Sequence, residues 1–216
     1  MSTRLSGTGR LADDLYLMAH HELTGKPHLQ PRAVGLGLAG GLLGELMLSG
    51  SIRLSHGTVM AAGGTPPGDD LARSVMGLVA SEREHLPARD WLLFMARTAA
   101  GDVAGRLEQA GYLHHVPGRR RLGRAERWIP VDADCAFAPL TRVNSALGTS
   151  GPVAAQNAAL GGLAGACGLG HRLSLYLPSH AHRRLDEAAA QLDPVLRELI
   201  AQTQAAVDSA LLSHRV

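Results

Sequence analysis

AVGLGLAGGLLGELML, residues 33–48, is apolar almost all the way round a helical wheel, and Glu45 alone interrupts it. A bilayer crossing takes about 20 such residues. This run is shorter, carries a carboxylate and stops at Gly50. It therefore predicts a helix buried at the centre of a protein. Gly37 and Gly41, and likewise Gly40 and Gly44, stand four apart, so each pair shares a helix face and lets a neighbouring helix come close. Gly35 to Gly40 also spells GLGLAG, the letters of a dinucleotide fingerprint. That motif works only between a strand and a helix start, where amides face phosphate. Here it lies inside the apolar run and reads as packing.

Outward from this centre the chain is mostly helical. Met1 to Gly9 is polar and is expected to fray. Leu11, Leu15 and Met18 then fall on one helix face, with Asp13 and Asp14 in the first turn, where the helix dipole favours carboxylates. Gly25 and Pro27 end that helix. Beyond the central helix, 51–61 reads as a short hairpin about Ser55-His56-Gly57. GGTPPGDD, residues 63–70, is a loop whose aspartates can cap a helix from Leu71 to Ser81. Further helices are expected from Pro87 through Met95, after Gly101 to a stop at Gly111, over Pro139–Leu147, in the glycine-rich 153–170, over 179–192, and from Asp193 to Leu212 with Pro194 in its first turn. Tyr112–Val116 and Trp128–Val131 read as strands flanking PGRRRLGRAER, residues 117–127, which makes a hairpin of 112–131 with a basic tip. The fold class is mainly α: a single-domain helical bundle, residues 1–216, around glycine-rich central helices, with a projecting β-hairpin.

Composition narrows the function. Hydrophobic residues make up 45% and charged residues 19% of the chain, enough apolar surface for a folded core. With 21 basic and 19 acidic residues the net charge is only +2, so any electrostatic role must be local. Cys135 and Cys167 form no metal-binding spacing and read as buried free thiols. Nothing at the N-terminus resembles an export signal, which points to the cytoplasm.

Catalytic and metal motifs are not found. His20-His21-Glu22 lacks a second histidine at i+4, where Gly stands, and His180 and His182 lack a third ligand. No GxSxG elbow and no phosphate-binding loop ending in GK[ST] occurs, and Asp13 and Asp14 diverge by about 100° on a helix. The reading is a non-enzymatic protein without a cofactor. The strongest local signal is Arg119, Arg120, Arg121, Arg124 and Arg127, with Leu122 and Trp128 beside them and only Glu126 opposing. Such charges repel one another unless water, salt or an anionic partner relieves them. The hairpin could be a solvated turn. It could instead bind anions, with arginines on phosphates and Leu122 or Trp128 dipping into the interfacial layer of a membrane. The order helix, Gly111, strand, basic turn, strand also imitates a winged-helix module, but no second basic amphipathic helix is available to read bases. A third reading is a protein-interaction module that uses the hairpin for self-association.

LADDLYLMAHHELTG (11–25), GLAGGLLGELMLSGSIRL (37–54) and RLEQAGYLHH (106–115) with its basic hairpin together resemble the Golgi phosphoprotein 3 family in order and spacing, as a bacterial member. The resemblance implies a helical bundle with a projecting hairpin, a peripheral membrane protein that binds phosphatidylinositol 4-phosphate, and an adaptor for client proteins. It also implies a head-group pocket built from a Trp and three Arg, at positions that fall here on Gln30, Ala39, Arg97 and Ala100. Only Arg97 retains a guanidinium. The expectation is therefore that Arg97 and the hairpin arginines attract an anionic phospholipid or phosphoinositide surface on the inner face of the membrane, less specifically than the family's pocket would.

Overall fold

In the computed structural model, which describes residues 7–64, 67–118, 126–176 and 179–213, the glycine-rich run becomes helix α2, Pro31–Leu48. Pro31 opens it, at a position where a missing amide hydrogen breaks no helical bond. Packed against α2 are α1 (Leu11–Ala19), α4 (Ala88–Met95), α5 (Ala99–Gln109), α7 (Ala155–Ala166) and α10 (Pro194–Leu212). The glycines are what let them in. A Cβ on Gly41 would lie 2.9 Å from the Cα of Ala12 in α1, and one on Gly40 would lie 2.6 Å from Oγ1 of Thr203 in α10. Gly35 faces the carbonyl oxygen of Ala96, in the turn that follows α4. The sequence reading of this run as a packing element is borne out.

The other elements follow the expected order. Strands β1 (Ile52–Ser55) and β2 (Thr58–Ala61) pair antiparallel with Leu54 opposite Val59. Helix α3 (Asp70–Ser81) starts where the Asp69 carboxylate accepts the Ala72 amide at 3.0 Å. Gly111, at φ 75°, ends α5 and leads into the second hairpin, β3 (Leu113–Val116) and β4 (Arg127–Pro130). Helices α6 (Ala133–Gly148), α8 (Gly170–Tyr176) and α9 (Ser179–Ala190) complete a mainly α fold with ten helices among the described residues. Helix α6 begins six residues before the Pro139 start that the sequence suggested, because Asp132 caps it by accepting the Cys135 amide at 2.6 Å. Pro139 lies inside this helix, where a proline signal had read as its first turn. No helix among the described residues is long and apolar enough to cross a membrane.

Asp13 and Asp14 stand in the first turn of α1 as expected, but every residue of α1 is buried and the two aspartates are 1% and 0% exposed, a depth that the sequence did not reveal. Charges this deep must be paired. Arg106, on α5, supplies the pairing: its Nε donates to Asp13 Oδ1 at 2.7 Å, its two terminal nitrogens reach Glu45 of α2 at 3.0 Å, and Nη1 also meets Asp69 at 3.2 Å. Glu45 in turn accepts the Ala12 amide at 2.8 Å, which caps α1 from another helix. Asp14 is held by Arg142 of α6 at 2.6 Å and by the Thr8 amide at 2.8 Å. Of the N-terminal segment expected to fray, residues 1–6 lie outside the described part, while Thr8 is tied to α1 by that bond.

This hub contains three carboxylates, Asp13, Glu45 and Asp69, against Arg106 and the more exposed Arg10, which sits 3.7 Å from Asp69. Oδ2 of Asp13 is buried without a partner among the described residues. Burial therefore pushes the Asp13 carboxyl up to about 7 against the pull of Arg106, with Glu45 adding repulsion. The folded protein then keeps a proton at Asp13 that the unfolded chain, at the ordinary 3.8, has already released. Stability is expected to fall as pH rises from about 4 to about 7 and to level off above, with a slope of at most about 1.4 kcal/mol per pH unit from this group. Burial shifts Asp14 and Glu45 in the same direction, whereas Asp69 sits below its ordinary value because the Ala72 amide and the nearby arginines outweigh its burial. Asp13→Asn should remove a distinct part of the fall. Urea unfolding of both proteins at pH 5 and pH 8 measures it, and identical pH slopes would rule out a stored proton at this position.

Candidate anion-binding cleft at the root of the basic hairpin

The β3–β4 ladder pairs His115 with Trp128 and Val116 with Arg127. Cross-strand neighbours lie on one face of a hairpin, so the Trp128 indole rests on the His115 ring, with centroids 5.0 Å apart. His115 also bonds Glu126, with Nε2 2.6 Å from Oε1. The ladder docks on the body through the connection between α1 and α2. Gly25, buried and at φ 62°, lies directly under the Trp128 carbonyl, where any side chain would collide with it. Here a glycine is required twice, for its left-handed backbone and for the close approach.

Docking leaves a cleft of about 400 Å³ between the α1–α2 connection, the first turns of α2 and α5, and β4. Tyr16, Pro27, Pro31, Val34 and Ala100 form apolar walls, and Lys26, Glu126, Arg127 and Trp128 bring polar atoms. His20 sits at the inner end, stacked on Tyr16 at 3.9 Å. Its Nδ1 lies 2.7 Å from the Tyr16 carbonyl oxygen, which can only accept, so Nδ1 carries the proton. Burial lowers the His20 pKa to about 4, so the ring is neutral at physiological pH and adds no charge to the cleft.

Of the residues singled out from sequence, Arg127 and Trp128 meet in this cleft together with Ala100, while Arg119, Arg120, Arg121, Leu122 and Arg124 lie outside the described residues. Trp128, expected to dip into a membrane interface, is half-buried in the cleft wall with its indole nitrogen covered. Arg97 is exposed in the turn between α4 and α5 and is not part of the lining. Three residues of chain keep its Cα within about 10 Å of that of Ala100. Gln30 is exposed just before α2, and Ala39 is wholly buried within it. Sequence reading missed Lys26, Tyr16 and Val34 as wall residues. Lys26 offered a faint signal as the single lysine in a chain whose other cationic side chains are arginines or histidines.

The remaining motifs resolve through packing. Cys135 and Cys167 are buried and form no disulfide, the Cys135 thiol donates to Asp132 Oδ2 at 3.2 Å, and burial pushes Cys167 up to about 12, where it is not nucleophilic. Among the described residues no three His, Cys, Asp or Glu are placed to hold a metal. Of the histidine pair at 180 and 182, the side chain of His180 lies outside the described residues. Helix α5, which would be the reading helix of a winged-helix module, turns Arg106 inward and leaves Asp102 and Glu108 exposed.

A comparison with curated proteins gives no match. A family model for Golgi phosphoprotein 3 matches residues 11–208, from the first residue of α1 into α10. That span takes in the glycine-packed centre, the buried hub around Arg106, both hairpins and the cleft. On the extent of this match the chain belongs to the Golgi phosphoprotein 3 family.

Proposed function

We propose that this protein is a non-enzymatic peripheral adaptor that docks on anionic phospholipid through its basic hairpin, with Arg97 on the neighbouring turn as an outlying contact. One observation carries the reading: the fold neutralises its interior arginines and leaves the hairpin root unneutralised. Arg106 meets three carboxylates and Arg142 meets Asp14. Arg127 has no ion-pair partner among the described residues, and Glu126 beside it is engaged by His115. Cations left without a carboxylate on a projecting element are suited to an anionic surface. Arg119, Arg120, Arg121 and Arg124, which follow β3 in sequence, would extend that charge. Gln30, Ala39 and Ala100 supply no guanidinium, which favours general attraction to negative lipid over a dedicated phosphoinositide grip. The exposed acids on α5 weigh against duplex DNA as the partner.

Sedimentation with neutral and with phosphatidylserine-containing vesicles tests this. Each arginine at an anionic surface contributes about 1 kcal/mol, so replacing Arg119, Arg120, Arg121 and Arg124 by Ala should weaken binding on the order of a hundredfold or more. Wild-type binding should also fall as salt rises. Equal sedimentation of the two proteins would remove the hairpin from the mechanism. A change in their light-scattering mass instead would turn the reading toward self-association.

A further inference from the structure

The surface of α4 carries an apolar knob beside a hole. Phe94 is 55% exposed and meets Trp91 edge-on, and Leu78 of α3 is 43% exposed. Both line a groove of about 120 Å³ that reaches down to Leu42 of the central helix and is mostly apolar, with Leu71, Val75 and Met95 among its walls. An apolar space of roughly 150 Å³ takes a benzene ring, so the groove is near the size of a phenyl group. Large apolar side chains gathered beside such a groove mark an interaction site.

The charges around Phe94 say what covers it. Asp90, Phe94 and Arg97 follow one another at intervals of four and three residues, so they share one helix face. The Ala96 amide still bonds the Leu92 carbonyl at 2.9 Å, which carries the helical path on towards Arg97. Asp90 and Arg97 are exposed, and neither has an ion-pair partner among the described residues. A stripe that runs negative, aromatic, positive is complementary to its own reverse. Laid antiparallel on a second copy, it sets Asp90 against the partner's Arg97 at each end and the two phenyl rings at the middle.

We propose that two copies of this chain pair about a two-fold axis through antiparallel α4 helices, each Phe94 entering the groove between α3 and α4 of its partner. A two-fold contact needs knob and hole on one surface, and this surface has both. Its end charges fix the direction, since parallel pairing would set like charges opposite each other. A helix from a different protein would not require the stripe to complement itself. The pairing makes no use of the hairpin and takes Arg97 out of the lipid contact, so docking on a membrane would rest on the hairpin arginines.

Light scattering after gel filtration tests this. Two short helices and a groove make a small interface of the weak, reversible class, so the mass should rise towards twice that of one chain as the protein is concentrated to about 100 µM. Phe94 is exposed, so Phe94→Ser should keep the circular dichroism spectrum and stay monomeric. Asp90→Arg or Arg97→Asp alone turns two attractive pairs into two repulsive ones and should weaken association about tenfold or more. Asp90→Arg combined with Arg97→Asp exchanges the signs and should restore the mass of the wild type. The proposal is overturned if the wild type stays monomeric, if Phe94→Ser associates like the wild type, or if the combined variant is no better than the single ones. The quadruple hairpin variant should pair as the wild type does, and a monomer there would move self-association to the hairpin and overturn this surface.

Discussion

Arg106→Met is expected to destabilise the fold by about 3–5 kcal/mol, because it removes the one cation that serves three buried or half-buried carboxylates. Methionine fills much of the arginine's volume, so the loss reports the stranded charge of Asp13 and Glu45 more than a cavity. The pH dependence distinguishes the two causes. Carboxylates without their partner can still be relieved by protons, so the loss should shrink between pH 8 and pH 5, whereas a packing defect would not change. Urea midpoints at both pH values give the answer. A loss below about 1 kcal/mol at pH 8 would mean that the hub contributes nothing net, as exposed ion pairs often do.

Gly35→Val should be the most damaging change on the central helix. A Cβ at this position runs into the carbonyl oxygen of Ala96, which is backbone and has no rotamer through which to yield. Relief requires α2 to move away from the turn between α4 and α5. Overpacking costs about 1–3 kcal/mol and occasionally more, and a clash with backbone belongs at the upper end. The displaced turn carries Arg97, and Ala100 lies just beyond it, so the same substitution should also widen the cleft. Gly105→Ala is the control, since nothing lies within 4 Å of a Cβ there. Gly105 is half-buried but has open space beside it, and in a helix interior Ala exceeds Gly by about 1 kcal/mol, so Gly105→Ala should leave the protein as stable or more so. Thermal unfolding of the two variants beside wild type measures the contrast.

The helices were legible because their signals are local. A run such as 33–48 has no solvent-facing stripe, which leaves it no place but the centre, and Gly111 and Pro194 mark helix ends through the conformations they allow or forbid. The start of α6 was hidden because a proline is a stronger local sign than the Asp132 cap that actually opens the helix. The basic tip of the hairpin was legible as charge. The cleft at its root was not, because Tyr16, Val34, Ala100 and Trp128 come from four separate elements and none carries a motif.

The sequence by itself determined that the chain is mainly helical, that a glycine-rich helix lies at its centre and that positive charge is gathered at one hairpin, since periodicity, turn chemistry and charge density are properties of neighbours along the chain. Only the tertiary structure decided which charges the protein keeps for itself. Asp13, Glu45 and Arg106 are 32 and 61 positions apart in turn, and whether a carboxylate is solvated or locked to a guanidinium depends on what the folded chain brings within about 3 Å of it. By the same rule the fold withdrew Arg106 and Arg142 into pairs with its own carboxylates and left Arg127 at the hairpin root without an ion-pair partner among the described residues.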